Sequence, residues 1–389
     1  MMKTQCMSLD IISSLPQNIM ETILTLMPIR DALRTSILSR KWRYCWMTMP
    51  KLVFDYNLIQ ALAIDGILVQ YKFVIAIFHI LLMHSGPTML KFEFDVDKWS
   101  MVTEFDQIIL YLSRRINVKD LSIDTLDTFY KLPTSFYSMQ GLESLELINC
   151  EFELPLTFNG FNKLKKMSFE KFQVPAQVLQ RLLSNSPLLE IIRLMEFDYD
   201  EEDFEEDYEK ENSFNFVKFF ECVPLVHTLD LSEYYMKYLS AGGMPSKLST
   251  SHLKYVRLDV CLREQDGISS ALCIIRSSPN LERIFLQMCG NEKLPYLGSC
   301  NKFVDLQDDL NLQLDHLIRF EIVRFSNSVF EMEFVKLIVA KSPVLKIARI
   351  ELNENVSIDE ELKLLRDAIY LPFPRASPST KLIIERPKF

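Results

Sequence analysis

The chain has 389 residues, 48% of them hydrophobic and 24% charged, a balance that excludes a largely disordered protein. Its length fits two or three ordinary domains or an array of repeats, and 9 glycines leave little room for phosphate-cradling loops. The net charge of −9 sits in Asp198–Glu211 (DYDEEDFEEDYEKE); without it 42 basic and 42 acidic residues remain, so no basic face for a nucleic-acid backbone is indicated.

The first residues, MMKTQCMSLDIISSLP, carry one lysine, no continuous apolar stretch and no small-residue cleavage pattern, which predicts no secretory signal. Ser14-Leu15-Pro16 opens a helix with proline near its first turn; Ile19, Ile23, Leu24 and Met27 continue it and Pro28 closes it. Asp31 is placed to cap a second helix through Ala32–Leu38, and Ser39–Arg43 starts a third. Leu15, Ile19, Ile23, Leu24, Leu38, Trp42 and Trp46 present more apolar surface than so small a helical unit can bury alone, and a partner surface would resolve the excess. Further on, Phe73–Met83 (FVIAIFHILLM) is too short to span a bilayer and predicts a buried helix, with His79 a satisfied core histidine.

A repeat then sets in. Leu142-x-x-Leu145-x-Leu147-x-x-Cys150 matches the leucine-rich-repeat consensus, and its apolar core recurs. Before it stand Met89/Phe92/Phe94 and Val118/Leu121/Ile123. After it come Leu164/Met167/Phe169, Leu189/Ile192/Leu194, Val226/Leu229/Leu231 and Leu253/Val256/Leu258. Leu281/Ile284/Leu286, Leu317/Phe320/Ile322 and Leu345/Ala348/Ile350 complete the series. Independently, Pro87, Pro187, Pro224, Pro279 and Pro343 stand two residues before a core, three of them in Ser-Pro-x-Leu. Proline ends a helix and extends the chain, and Val178–Leu183, Phe216–Phe220 and Phe330–Ala340 have helical spacing just upstream. Helix, proline stop and short strand predict an α/β solenoid, with parallel strands on its concave side and helices on its convex side. Two longer intervals hold the acidic run and a loop at Gly290–Asn311.

The eight cysteines form no C-x-x-C and no zinc-finger spacing with histidine. Cys261, Cys273, Cys289 and Cys300 are close enough in sequence to suggest a metal site, but buried free thiols are the simpler reading. Reduced thiols and no signal point to an intracellular home, nucleus or cytoplasm. Walker A, G-x-S-x-G, G-x-G-x-x-G and H-E-x-x-H patterns are absent, and the five histidines are dispersed. No catalytic residue, cofactor, metal, nucleic acid or membrane is therefore expected.

Leu15–Trp46 (LPQNIMETILTLMPIRDALRTSILSRKWRYCW) resembles an F-box of the plant type, with Leu52-Val-Phe-Asp55 following as in that family. From about Leu314 through Ser342-Pro343 to Ile383 the tail resembles the FBD region of plant F-box/FBD/leucine-rich-repeat proteins. Gln17 departs from the acidic residue common after Leu-Pro. The resemblance implies an F-box at 8–50, a repeat solenoid at 51–313 with the acidic insertion at 198–211, and an FBD-like region at 314–389 that continues the solenoid. It implies a substrate-recognition subunit of a Skp–cullin–F-box ubiquitin ligase, itself non-catalytic. The expected adaptor contacts are Leu15, Pro16, Ile19, Ile23, Leu24, Pro28, Leu38 and Trp42, with Trp46 sealing the helices against the repeats. The partners are then a Skp-type adaptor, through it a cullin, and a protein substrate; the alternative is a repeat scaffold that acts without a cullin.

Strand alternation places the residues beside the inner apolar positions on the concave face. These are Thr228 and Asp230, then Tyr255, Arg257 and Asp259, then Arg283 and Phe285, then Arg319 and Glu321. Tyrosine, phenylalanine and arginine are enriched at interface hot spots, which makes this the expected substrate surface. Cross-strand pairing of Arg257, Asp259 and Glu321 is the structural alternative.

Overall fold

The structure, a computed structural model, describes residues 11–55, 57–58, 69–86, 88–95, 102–125, 129–171, 176–195, 215–240, 248, 250–261, 265–288, 312–370 and 376–387. It divides into two compact units, Met1–Leu164 and Lys165–Phe389. The acidic run 198–211, the loop 290–311, Pro87, Cys6, Cys289 and Cys300 lie outside the described residues.

The first unit begins with α1 (Ile11–Ser14), α2 (Gln17–Thr25) and α3 (Ile29–Arg34), followed by 3-10 segments at Thr35–Ile37 and Trp42–Thr48. Pro16 and Pro28 stand at the starts of α2 and α3, with φ of −60° and −55°. A proline lacks the amide that a helix start would leave unsatisfied, and its φ is already suited to the turn. The prediction that Asp31 caps the second helix is thus corrected. The helix starts at Ile29, and Asp31 lies in its first turn, 3.6 Å from Arg34. It also ends early: the Thr35 hydroxyl donates to the Ala32 carbonyl at 2.6 Å, where the coil tightens into the 3-10 segment. Met20, Leu24, Ile29, Ala32, Trp42, Cys45 and Trp46 form the core of these helices.

Next come β1 (Lys51–Phe54), α4 (Val69–Met83), β2 (Thr88–Asp95), α5 (Val102–Arg115) and β3 (Asn117–Asp124). The short β4 (Tyr130–Lys131), β5 (Ser144–Ile148) and the short β6 (Cys150–Glu151) complete the unit. β1, β2, β3 and β5 pair in that order, all parallel, and β4 pairs with β6. The helices are tied to the first strands by backbone bonds from Ser85 to Met47 (2.9 Å) and from Lys91 to Pro50 (3.0 Å). Helix α4 buries Phe73, Val74, Ile77, Ile80 and Leu81 but exposes Tyr71, Ile75, His79 and Leu82. The expectation of a wholly buried helix with His79 in the core is therefore corrected. Packing takes one stripe at i, i+3, i+4 spacing, and His79 falls on the other side. None of the described helices is long and apolar enough to cross a membrane.

The second unit repeats strand and helix. It contains β7 (Lys166–Glu170), α6 (Ala176–Ser184), β8 (Ile191–Met195), α7 (Phe216–Cys222), β9 (Thr228–Leu231) and α8 (Glu233–Ser240). β10 (Tyr255–Val260), α9 (Gln265–Ser277), β11 (Arg283–Met288) and β12 (Arg319–Phe325) follow. α10 (Val329–Ala340), β13 (Ile347–Leu352), α11 (Ile358–Tyr370) and β14 (Lys381–Glu385) end it. Successive strands pair in parallel from β7 to β14, in chain order. Across both units, all three apolar positions of every predicted repeat core are buried.

One turn recurs at the foot of these strands. The amides of Leu189, Leu281 and Leu345 donate to the carbonyls of Ser186, Ser278 and Ser342, at 3.3, 3.2 and 3.4 Å. Proline occupies the second position of each turn, where its preset φ is favourable. The serines are buried, and two of them turn back onto the helix they terminate. Ser278 Oγ donates to the Ile274 carbonyl at 2.7 Å and Ser342 Oγ to the Ile338 carbonyl at 2.6 Å. These bonds satisfy carbonyls that a helix end leaves without partners. Thr250 joins from the neighbouring repeat, donating to the Ser277 carbonyl at 2.6 Å and lying 2.8 Å from Ser278 Oγ.

Candidate protein-interaction surfaces

Two surfaces carry the predicted site residues, one in each unit. On the helices of the first, Pro16, Ile19, Pro28 and Leu38 are exposed, Ile19 at 42% and Leu38 at 59%, while Leu15 and Ile23 are half-buried. Leu26 and Ile37, which the sequence reading passed over, stand out further, at 83% and 87%. Leu24 and Trp42 are corrected: at 0% and 2% exposure they are core side chains and present no surface to a partner. Trp42 Nε1 donates to the Ile12 carbonyl at 3.4 Å, which ties the last segment of this unit to the first. In helices this short, Leu24 falls on the inward side of α2 and Ile19 on its outer side, a distinction that packing settles and hydrophobicity does not. Trp46 is also buried.

On the second unit the predicted substrate residues do share one sheet face, in register. Tyr255 stands beside Arg283 and Arg283 beside Arg319; one step along, Arg257 is beside Phe285 and Phe285 beside Glu321. Thr228 and Asp230 pair with Tyr255 and Arg257. The Arg257 guanidinium lies over the Phe285 ring, 5.2 Å from its centroid, and donates to Gln287 Oε1 at 3.0 Å. Its nearest carboxylate on the same strand, Asp259, is 3.8 Å away.

Much of the charge on this face is answered internally. Arg193 Nε lies 2.9 Å from Asp230, whose carboxyl is pushed above the usual carboxylate range by burial, against the pull of Arg193 and Arg257. Arg319 meets Glu321 at 2.5 Å, and this hydrogen bond holds its guanidinium pKa above the ordinary value. Arg349 serves three carboxylates, Glu351 at 2.5 Å, Glu385 at 2.7 Å and Glu321 at 3.4 Å. Burial also raises the Tyr255 phenol. Cross-strand bonds are thus made by Arg257, to Gln287, and by Glu321, to Arg349, whereas Arg283 is exposed. Arg193, Arg349, Glu351 and Glu385 were missed in the sequence. Continuing the same alternation into the Leu189/Ile192/Leu194 and Leu345/Ala348/Ile350 cores would have found the two arginines.

Among the described residues no group of three or more histidine, cysteine or acidic side chains could hold a metal ion. Cys45, Cys150, Cys222, Cys261 and Cys273 are free thiols, and burial raises the Cys45, Cys150 and Cys273 thiols. An open hollow at the foot of the strands, lined by Ser251, His252, Lys254, Asn280, Glu282 and His316, is crossed by the Lys254–Glu282 ion pair at 3.0 Å.

Comparison with known proteins identifies an F-box and leucine-rich repeats in the chain. An F-box domain model matches residues 12–54, and a model described as FBD-associated F-box protein At5g56370, LRR repeats, matches residues 110–201. The chain is 31% identical to an F-box/FBD/LRR-repeat protein of Arabidopsis thaliana (At1g13570), over 96% of this chain and 98% of that one. It is 25% identical to the FBD-associated F-box protein At5g56370, over 89% of this chain and 75% of the relative. An F-box/LRR-repeat protein of the same plant, At5g02910, is 28% identical over 48% of this chain and 39% of its own length.

Proposed function

Because this chain belongs to the plant F-box/FBD/leucine-rich-repeat family, whose members have a substrate-adaptor role and are typically non-catalytic, we propose that it is the substrate-recognition subunit of a Skp–cullin–F-box ubiquitin ligase. Its F-box helices dock on a Skp-type adaptor and through it a cullin. The sheet face of its repeats, with Tyr255, Arg283, Phe285 and Arg319 at the centre, holds the protein to be modified. Ubiquitin transfer falls to other subunits. The free thiols fit a reducing intracellular compartment, nucleus or cytoplasm.

The observation that carries this reading is the apolar rim of the F-box helices. Pro16, Ile19, Leu26, Pro28, Ile37 and Leu38 stand in water with a packed core beneath them. This many large apolar side chains exposed on an already packed helical unit favour a binding surface. Substituting Leu15 and Pro16 together by alanine should abolish pull-down of the adaptor while the repeats stay folded. Undiminished pull-down would sink the assignment, and an adaptor complex that never contains cullin would favour the scaffold alternative.

A further inference from the structure

The parallel sheet of the second unit ends at β14, and its last edge is open. The Lys381 amide donates to the Lys346 carbonyl of β13 at 2.9 Å, so Lys381, Ile383 and Glu385 turn their backbone groups toward β13. Leu382 and Ile384 turn theirs outward, where no bond reaches them among the described residues. Their side chains continue the core rows of Ala348 and Ile350, which are buried, yet both remain half-buried. A stacked array leaves such an apolar end unless its last repeat is covered. The edge is firmly held. Arg386, just beyond the strand, donates to Glu361 of α11 at 2.7 Å and to the Val356 carbonyl at 3.2 Å.

This strand is matched to its own reverse. Lys381-Leu382-Ile383-Ile384-Glu385 has a cation at one end, an anion at the other and three apolar residues between. Laid antiparallel against a second copy, with Ile383 opposite Ile383, each Lys381 faces the copy's Glu385. In that register Leu382 faces the copy's Ile384. These are the residues whose amides and carbonyls point outward, so four backbone bonds close. A shift by two residues either way sets a charge opposite Ile383 and loses both ion pairs. Charges at an edge ordinarily ward off pairing, but opposite signs at the two ends attract when the strands run antiparallel. Lys381 is exposed and makes no ion pair among the described residues, while Glu385 keeps its 2.7 Å bond to Arg349 and is still partly open to solvent.

We infer that β14 is a dimerisation edge, which takes β14 of a second copy of this chain in antiparallel register about Ile383. The two-fold axis then stands perpendicular to the sheet, so two copies of the second unit form one continuous sheet with their open faces on the same side. On the opposite side α11 meets its copy near the axis. Ile358, one turn before Glu361 on the same side of that helix, is 69% exposed and is covered there. A five-residue strand on each side makes a small interface, so the dimer forms reversibly, with micromolar rather than nanomolar affinity. The inference goes beyond the ubiquitin-ligase reading and needs neither adaptor nor substrate.

The test is sedimentation velocity on the full chain over a range of micromolar concentrations, where a monomer–dimer equilibrium is expected. Lys381→Glu sets like charges opposite each other at both ends of the paired strands and should weaken the dimer about tenfold. Leu382→Pro removes an outward amide that the monomer does not use and should abolish the dimer, with a melting curve to show that the chain still folds. Ile383→Cys reports the register. Across the axis the two Cα atoms should lie about 4.5 Å apart, within disulfide reach, so oxidation should cross-link this variant and not the wild type with its native thiols. A chain that stays monomeric throughout overturns the inference. So does a dimer indifferent to Lys381→Glu, or one that Ile383→Cys fails to cross-link, since association then lies elsewhere. If Leu382→Pro unfolds, the other two variants decide. Protection of the Leu382 and Ile384 amides from hydrogen exchange only when the adaptor is added would give the edge another occupant, and also overturns the proposal.

Discussion

Leu24 and Ile19 stand five positions apart in α2, and replacing each by alanine should separate stability from binding. Leu24 is completely buried, so its truncation leaves a cavity and removes transfer energy, at a cost of about 2–5 kcal/mol. Ile19 is 42% exposed, and its truncation should cost the fold about 1 kcal/mol or less. If Ile19 anchors the adaptor, however, its loss costs about 2 kcal/mol of binding, roughly thirtyfold in affinity. Hydrogen exchange of the α2 amides reads the first quantity, and surface plasmon resonance against immobilised adaptor reads the second. The expected pattern is a crossed one. Leu24→Ala accelerates exchange strongly and weakens binding only through the unfolded fraction; Ile19→Ala leaves exchange nearly unchanged and lowers affinity. Should Ile19→Ala accelerate exchange as much as Leu24→Ala while affinity holds, Ile19 is a core residue in solution and the rim is misassigned.

Other perturbations give direct readouts. Ser278→Ala removes buried bonds to the Ile274 carbonyl and Thr250, and should lower stability in urea unfolding by about 1–3 kcal/mol; no change would mean that water replaces them. Asp230 has its pKa raised above 3.8, so the folded state holds its proton more tightly than the unfolded chain. The stability it contributes is complete below that value and is lost as pH rises through the raised one. Relative to Asp230→Asn, the wild type should therefore lose stability on going from acid toward neutral pH, and a parallel pair of pH profiles would refute the burial argument. Deleting residues 198–211 should leave the melting temperature unchanged, since long surface insertions cost little to close; a large drop would show that the acidic run packs against the repeats.

The repeats were legible because period-2 alternation and proline stops are local signals that parallel pairing reinforces. From Met89 to Ile350 every predicted core position is inside. The end of the series was less so: in β14 Leu382, Ile383 and Ile384 are all half-buried, and an unbroken apolar run gives no alternation to read. The helices were found, but not their orientation. Leu24, Trp42 and His79 were all placed on the wrong side, because in short or uniformly apolar helices the composition does not distinguish the packed stripe from the open one. The Ser328–Glu331 capping box at the start of α10, with both reciprocal bonds formed, was present in the sequence as Ser-x-x-Glu and went unused. On the sheet face, alternation identified the row but not which charges neutralise each other, since that depends on rotamers and on strands distant in sequence.

The turn at the foot of the strands has an evolutionary consequence. The connections that pass through it, from Ser184 to Ile191, Cys222 to Thr228, Ser277 to Arg283 and Ala340 to Ile347, are nearly equal in length. Those at the opposite rim range from the immediate step between Leu231 and Glu233 to the long stretch between Met195 and Phe216. A proline turn, locked at Ser278 and Ser342 by buried hydroxyl bonds, tolerates neither gain nor loss of a residue. Diversification among related chains should therefore accumulate on one rim only. New loops grafted there would vary what the protein recognises without disturbing the stacking that keeps it folded.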